Sequence, residues 1–91
     1  MTKIVNHWIG GKTVEGASGT YGPVTDPATG AVTTKVAFAT VDEVDAAVAA
    51  AKDAYATWGL SSLAKRSTIL FKFRALLDAN RDAIAELITA E

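Results

Sequence analysis

Few side chains in this sequence could do chemistry, and they are scattered. His7 is the only histidine, and an imidazole can act as acid, base or metal ligand. Asp42, Glu43 and Asp45 bring three carboxylates close together; paired carboxylates can share a metal or divide acid and base duties. Gly16-x-x-Gly19-x-x-Gly22 resembles a loop that lets backbone approach a phosphate. Lys65, Arg66, Lys72, Arg74 and Arg81 form a mild basic stripe. There is no cysteine, so a thiol nucleophile, a thiolate metal site and a disulfide framework are all missing from these 91 residues.

In each case the plain structural reading is the stronger one. A dinucleotide fingerprint needs a strand, a G-x-G turn and an immediate helix start. Here Pro23 and another turn follow, so the glycines read as loop. A lone histidine with no ligand cluster reads as a strand residue. The three carboxylates open a helix, where capping explains them. The basic stripe reads as a solvated helix face with salt bridges. The residues therefore assign no catalytic, no cofactor-binding and no metal-ligating position to this chain.

The elements that must position these side chains divide near Thr40. Over 1–39 the signals are strands and turns. Trp8-Ile9 and Thr13-Val14 flank Gly10-Gly11; glycine tolerates the positive φ of tight hairpin turns, so Ile4–Ile9 is expected to pair with Lys12–Glu15. Gly16, Gly19 and Gly22 then punctuate a loop ending at Pro23. Asp26-Pro27-Ala28-Thr29-Gly30 is a turn, with proline presetting φ and glycine taking the left-handed position. Val32, Thr34, Val36 and Phe38 alternate with Thr33, Lys35 and Ala37, a period-2 strand with one apolar face.

After Thr40 the period is helical, with helices expected over 41–58, 62–78 and 81–91. Thr40-Val41-Asp42-Glu43 fits a capping box, and the early acids suit the helix dipole. Val44, Ala47, Val48, Ala51, Ala54, Tyr55 and Trp58 share a stripe, and Gly59 is a stop signal. Ser61 or Ser62 can cap the second helix, whose apolar face is Ile69, Leu70, Phe73, Leu76 and Leu77. Asn80 either caps a third helix carrying Ile84, Leu87 and Ile88, or marks a kink in one long helix. Trp8, Tyr55, Trp58, Phe71 and Phe73 read as core or as a face awaiting further protein, with one of Phe71 and Phe73 expected at the surface. The helical pattern runs to Ile88-Thr89-Ala90-Glu91 without a terminator, as in a piece of a longer polypeptide.

Bulk properties narrow the partners. Hydrophobic residues make up 49% and the formal net charge is -1. That balance gives no electrostatic case for nucleic acid or an anionic membrane. No apolar run approaches the ~20 residues that span a bilayer, and no signal-peptide stretch opens the chain. A cytoplasmic location is the expectation.

Several segments, in order and spacing, resemble the aldehyde dehydrogenase superfamily. They are His7-Trp8-Ile9-Gly10-Gly11, Asp26-Pro27-Ala28-Thr29-Gly30 with Val36, Val44 to Ala51, Ala54 and Trp58, Arg66 and Leu70, and Leu76, Leu77, Leu87 and Glu91. Gly16-Ala17-Ser18-Gly19, Gly22-Pro23-Val24 and Ser67 to Arg74 look like the methylmalonate-semialdehyde dehydrogenase branch. The resemblance implies an α/β fold, with an N-terminal hairpin and strand followed by two or three helices. These would open the Rossmann-like NAD-binding half of such an enzyme, with no complete second domain.

It further implies a parent that oxidises a short semialdehyde with NAD and passes the acyl group to coenzyme A, and that assembles as a homo-oligomer. The parent's nucleophile, base and nicotinamide motifs would lie beyond this stretch, so no cofactor is expected on this chain. Arg66 matches a recurrent family arginine with a structural role. The partners expected are the remainder of the dehydrogenase polypeptide and a small aldehyde. The alternative is a freestanding helical interaction module without catalysis.

Overall fold

The structure, a computed structural model, describes residues 3–91; the first two residues of the 1–39 segment lie outside the described residues. Among the described residues five strands and three helices follow one another: β1 (Lys3–Val5), β2 (His7–Ile9), β3 (Lys12–Val14), β4 (Tyr21–Thr25), β5 (Val32–Ala37), α1 (Val41–Trp58), α2 (Leu63–Ala79) and α3 (Arg81–Thr89). The strands form two separate sheets, β2-β3 and β1-β5-β4.

The Gly10-Gly11 signal is realised as a two-residue hairpin. Ile9 pairs with Lys12, Trp8 with Thr13 and His7 with Val14. The two loop glycines have φ of 62° and 78°, and positive φ at both central positions is what a type I′ turn requires. The Asp26–Gly30 turn also forms. Asp26 Oδ1 accepts from the Ala28 N–H at 2.8 Å, and the Asp26 carbonyl accepts from the Gly30 N–H at 2.7 Å.

Two strand expectations need correction. Ile4–Ile9 is not one strand. It breaks at Asn6, and β1 leaves the hairpin to pair in parallel with β5, Lys3 opposite Thr34 and Val5 opposite Val36. Asn6 is held in that break by its side chain, whose Oδ1 accepts from the Gly16 N–H at 3.2 Å. The Gly16–Pro23 segment is not all loop, because Tyr21–Thr25 forms β4, antiparallel to β5. Pro23 is tolerated there because β4 is an edge strand, where a missing N–H costs no ladder bond.

The apolar face expected on β5 is open to solvent. Val32, Val36 and Phe38 are exposed, and Ala37, from the opposite face, is the one buried hydrophobic residue among those described, at 5%. Its cover is backbone: a Cβ on Gly16 would stand 2.6 Å from the Ala37 Cβ. Gly16 is thus glycine because the chain passes directly over β5.

The helices start and stop by local chemistry. Thr40 caps α1 with a complete capping box. Ser62, not Ser61, caps α2, its side chain accepting from the Lys65 N–H at 3.1 Å. Gly59 ends α1 without a left-handed turn, at φ -63°; a Cβ there would run into the Tyr55 ring. Asn80 separates α2 from α3 and serves the end of α2 rather than the start of α3. Its Nδ2 donates to the Leu76 carbonyl at 2.8 Å, and it makes no side-chain cap to α3. The second and third helices accordingly run over 63–79 and 81–89 instead of 62–78 and 81–91.

None of the three helices buries a residue. Leu70 is 61% exposed and Phe73 57%, and both Phe71 and Phe73 face solvent. The accessible surface is 7396 Å². A compact monomer of 9.5 kDa would expose only about 5,000 Å², so about 2,400 Å² is in excess. The radius of gyration, 16.9 Å, compares with about 12 Å for a compact domain of this length. The chain is an open, flat assembly, 46 × 35 × 16 Å, whose apolar faces lack a cover.

Uncovered apolar faces and strand edges drive association. The 91-residue chain is expected to sediment as oligomers or aggregates at high concentration. A compact, cooperatively unfolding monomer would contradict this.

Candidate functional site

The potentially reactive side chains converge at one point only, where α1 begins. The capping box there is built by the sequence itself. Thr40 is extended (φ -79°, ψ 165°), which frees its hydroxyl to accept from the Glu43 N–H at 3.1 Å. Glu43 reaches back, its Oε1 accepting from the Thr40 N–H at 2.9 Å. Two orphan donors of the helix start are satisfied reciprocally.

The second oxygen of Glu43 points away from its own helix. Oε2 accepts from the Ala17 N–H at 3.2 Å and lies 3.3 Å from His7 Nε2. The His7 and Glu43 side chains are 16% and 13% exposed. His7 Nε2 is close enough for an ion pair when the ring is protonated, yet makes no hydrogen bond of acceptable angle. The contact is best described as charge proximity, because direction matters to a hydrogen bond and distance alone to a Coulomb pair. It is the one ion pair among the described residues.

The Thr40 N–H, more than any other group, holds the Glu43 carboxyl below its ordinary value. Partial burial opposes it, while the Ala17 N–H, the Thr40 hydroxyl and the His7 ring add to the lowering. Hydrogen bonds to the ionised form favour that form.

Beside this cluster, α1 and the hairpin leave a shallow cleft. One part, about 320 Å³, is lined by His7, Trp8, Ile9, Glu43, Val44 and Val48 among others. A neighbouring part, about 470 Å³, runs between Gly10-Gly11 and the α1 alanines Ala47, Ala50, Ala51 and Ala54. Trp8, 72% exposed, stands at its rim. Small residues on one side and an aromatic on the other give a surface that another element can fill, with no nucleophile in it.

The remaining candidates stay apart. Among the described residues no group of three His, Asp or Glu could hold a metal ion. The glycines do not form a phosphate cradle: the Gly16 N–H is spent on Asn6, and Gly22 lies in β4 under the Phe38 ring. Among the described residues, the salt bridges expected along the basic stripe of α2 do not form. Arg66 is instead half-buried, with a buried Nε that meets no acceptor among the described residues. Reading the sequence missed the His7–Glu43–Ala17 convergence, since only the capping box leaves a local signal. No helix among the described residues is long and apolar enough to cross a membrane.

An N-terminal glycine hairpin, a small mixed sheet and three open helices make an α/β unit whose apolar faces are uncovered. Residues 13–91 match the aldehyde dehydrogenase family, and the chain belongs to that family. Malonate-semialdehyde dehydrogenase 3 of Geobacillus kaustophilus is 42% identical over 90 residues, covering 99% of this chain and 19% of the relative. Malonate-semialdehyde dehydrogenase of Halalkalibacterium halodurans is 38% identical over 87 residues, covering 96% of this chain and 18% of the relative.

A crystal structure from Sinorhizobium meliloti, provisionally named methylmalonate-semialdehyde dehydrogenase and complexed with NAD, matches with a TM-score of 0.95. It is 36% identical, over 100% of this chain and 18% of that one. The chain thus spans less than a fifth of the length of these proteins. The fold agrees with the expectation drawn from the resemblance: α/β, with the strands first and the helices after.

Removing the cap tests the assignment at the start of α1. Thr40→Ala is expected to cost about 1 kcal/mol, as such caps do, measured locally as faster hydrogen exchange of the Asp42 and Glu43 amides in the first turn of α1. Unchanged exchange at those amides would refute it.

Proposed function

We propose that this chain is the N-terminal part of the NAD-binding half of a semialdehyde dehydrogenase that is NAD-dependent and acylates coenzyme A. The observation that carries the reading is near-complete alignment with malonate-semialdehyde dehydrogenases at about 40% identity. The match to a structure complexed with NAD supports the cofactor. Coenzyme A as acyl acceptor, a homo-oligomeric parent and a cytoplasmic location extend the same reading.

In this proposal NAD accepts hydride and coenzyme A accepts the acyl group elsewhere in the polypeptide. The residues of this chain supply neither an attacking thiol, since it has no cysteine, nor a phosphate cradle, since the Gly16 N–H is taken by the Asn6 side chain and Gly22 is paired in the sheet. No catalytic, cofactor-binding or metal-ligating role is assigned to any residue here. What the chain does is positional. The apolar stripes of α1 and α2 and the open face of β5 present surface to the rest of the dehydrogenase, its principal partner.

The same open faces are what a freestanding interaction module would display. The family membership favours the dehydrogenase, because a docking module needs no ordered likeness to an enzyme over its whole length.

The isolated chain is expected to form no NADH with any short aldehyde. The full-length dehydrogenase carrying it is expected to turn over malonate or methylmalonate semialdehyde to an acyl-CoA only when coenzyme A is supplied. Brisk formation of a free acid without coenzyme A would eliminate the acylating branch, and leave family membership standing.

A further inference from the structure

We propose that Glu43 is a proton-operated latch that fastens the start of α1 to the N-terminal hairpin and to the segment after it. The latch belongs to this chain's own contacts and stands independently of the dehydrogenase reading.

The geometry is unusual for a helix cap. A capping box needs a single acceptor oxygen at the third helical position, and Gln serves there as well as Glu. Here both oxygens are used, and they serve different parts of the chain. Oε1 takes the Thr40 N–H, within the helix start, while Oε2 takes the Ala17 N–H, 26 positions away, and meets the His7 ring on β2. A carboxylate can do both; a glutamine amide, with one acceptor oxygen and a donor in place of the other, cannot.

The latch matters because little else ties α1 to the strands. The helix buries no residue, and beside the latch it faces the hairpin across an open cleft. Protonating Glu43 places a hydrogen on one of its two oxygens and removes the carboxylate charge. The charge-assisted bonds from the Thr40 and Ala17 N–H groups weaken, and attraction to a protonated His7 is lost.

The direction of the pH effect follows from the carboxyl's position below its ordinary value, set first by the Thr40 N–H. A lowered folded-state value means the stabilisation is full above the unfolded glutamate value and is lost as pH falls through the folded one. His7 is the charged partner in contact. The other ionisable groups on the adjoining segments, Lys12 on β3, Glu15 after it, and Asp42 and Asp45 on α1, make no hydrogen bond or ion pair to the carboxylate.

The test is an NMR titration of the whole 91-residue chain at low concentration, from neutral pH downward. The amide shifts of Ala17 and Thr40 are expected to move together, with one midpoint below the ordinary glutamate range. Over the same range, cross-relaxation between the Trp8 and Ile9 side chains and the Val44 and Val48 methyls is expected to vanish, while β4–β5 amides hold their shifts. In Glu43→Gln the shared titration should disappear. Thr40 should stay capped, and the Ala17 amide should exchange unprotected at every pH.

A Thr40 shift with an unresponsive Ala17 would reduce Glu43 to a local cap and overturn the latch. So would hairpin–helix cross-relaxation that survives protonation, or β4–β5 amides that collapse with the same midpoint. If Glu43→Gln does not fold, the wild-type titration decides alone.

Discussion

A chain of this size has to bury apolar surface to offset the entropy of ordering its backbone, about 1–2 kcal/mol per residue. This one offers the surface and does not bury it. Three helices and a three-stranded sheet leave Ala37 as the one buried hydrophobic residue among those described. The excess of about 2,400 Å² over a compact monomer is more than the ~800 Å² each partner gives to a standard protein–protein interface. Exposure on that scale marks surface that another element or chain would cover.

In place of a core, local polar devices hold the elements in shape. The Gly10-Gly11 turn fixes the register of β2 and β3, Asp26 closes its own turn, and Thr40, Ser62 and Asn80 satisfy helix ends. Each acts within a few residues. The connections over longer distance are few and are also polar or backbone: Asn6 to Gly16, Ser18 Oγ to the Phe38 carbonyl at 2.6 Å, and Glu43 to Ala17 and His7. These orient α1 relative to the strands and leave its apolar stripe free to be covered.

What could be read from the sequence follows the same division. The hairpin, the Asp26–Gly30 turn, the capping box at Thr40 and the helix periods were legible because each is a local pattern. The parallel pairing of β1 with β5 was not, since nothing in Lys3-Ile4-Val5 specifies a partner some thirty residues on. β4 was hidden by Gly22 and Pro23, which read as loop until its place at a sheet edge is known. The burial of Ala37 in place of Val36 and Phe38 depends on Gly16 passing overhead, a tertiary fact. Glu43 was legible as a cap and illegible as a tether, because one of its oxygens answers to local sequence and the other to the fold.

The central claim is that the open faces of α1, α2 and β5 are interior surfaces of a dehydrogenase. Hydroxyl-radical footprinting of the full-length enzyme carrying this sequence, side by side with the 91-residue chain, addresses it directly. The account predicts that Val36, Leu70, Phe73 and Leu77 are modified readily in the short chain and are strongly protected in the full-length protein, while Lys65 and Asp78 react alike in both. Equal modification of the apolar set in the two proteins would contradict it.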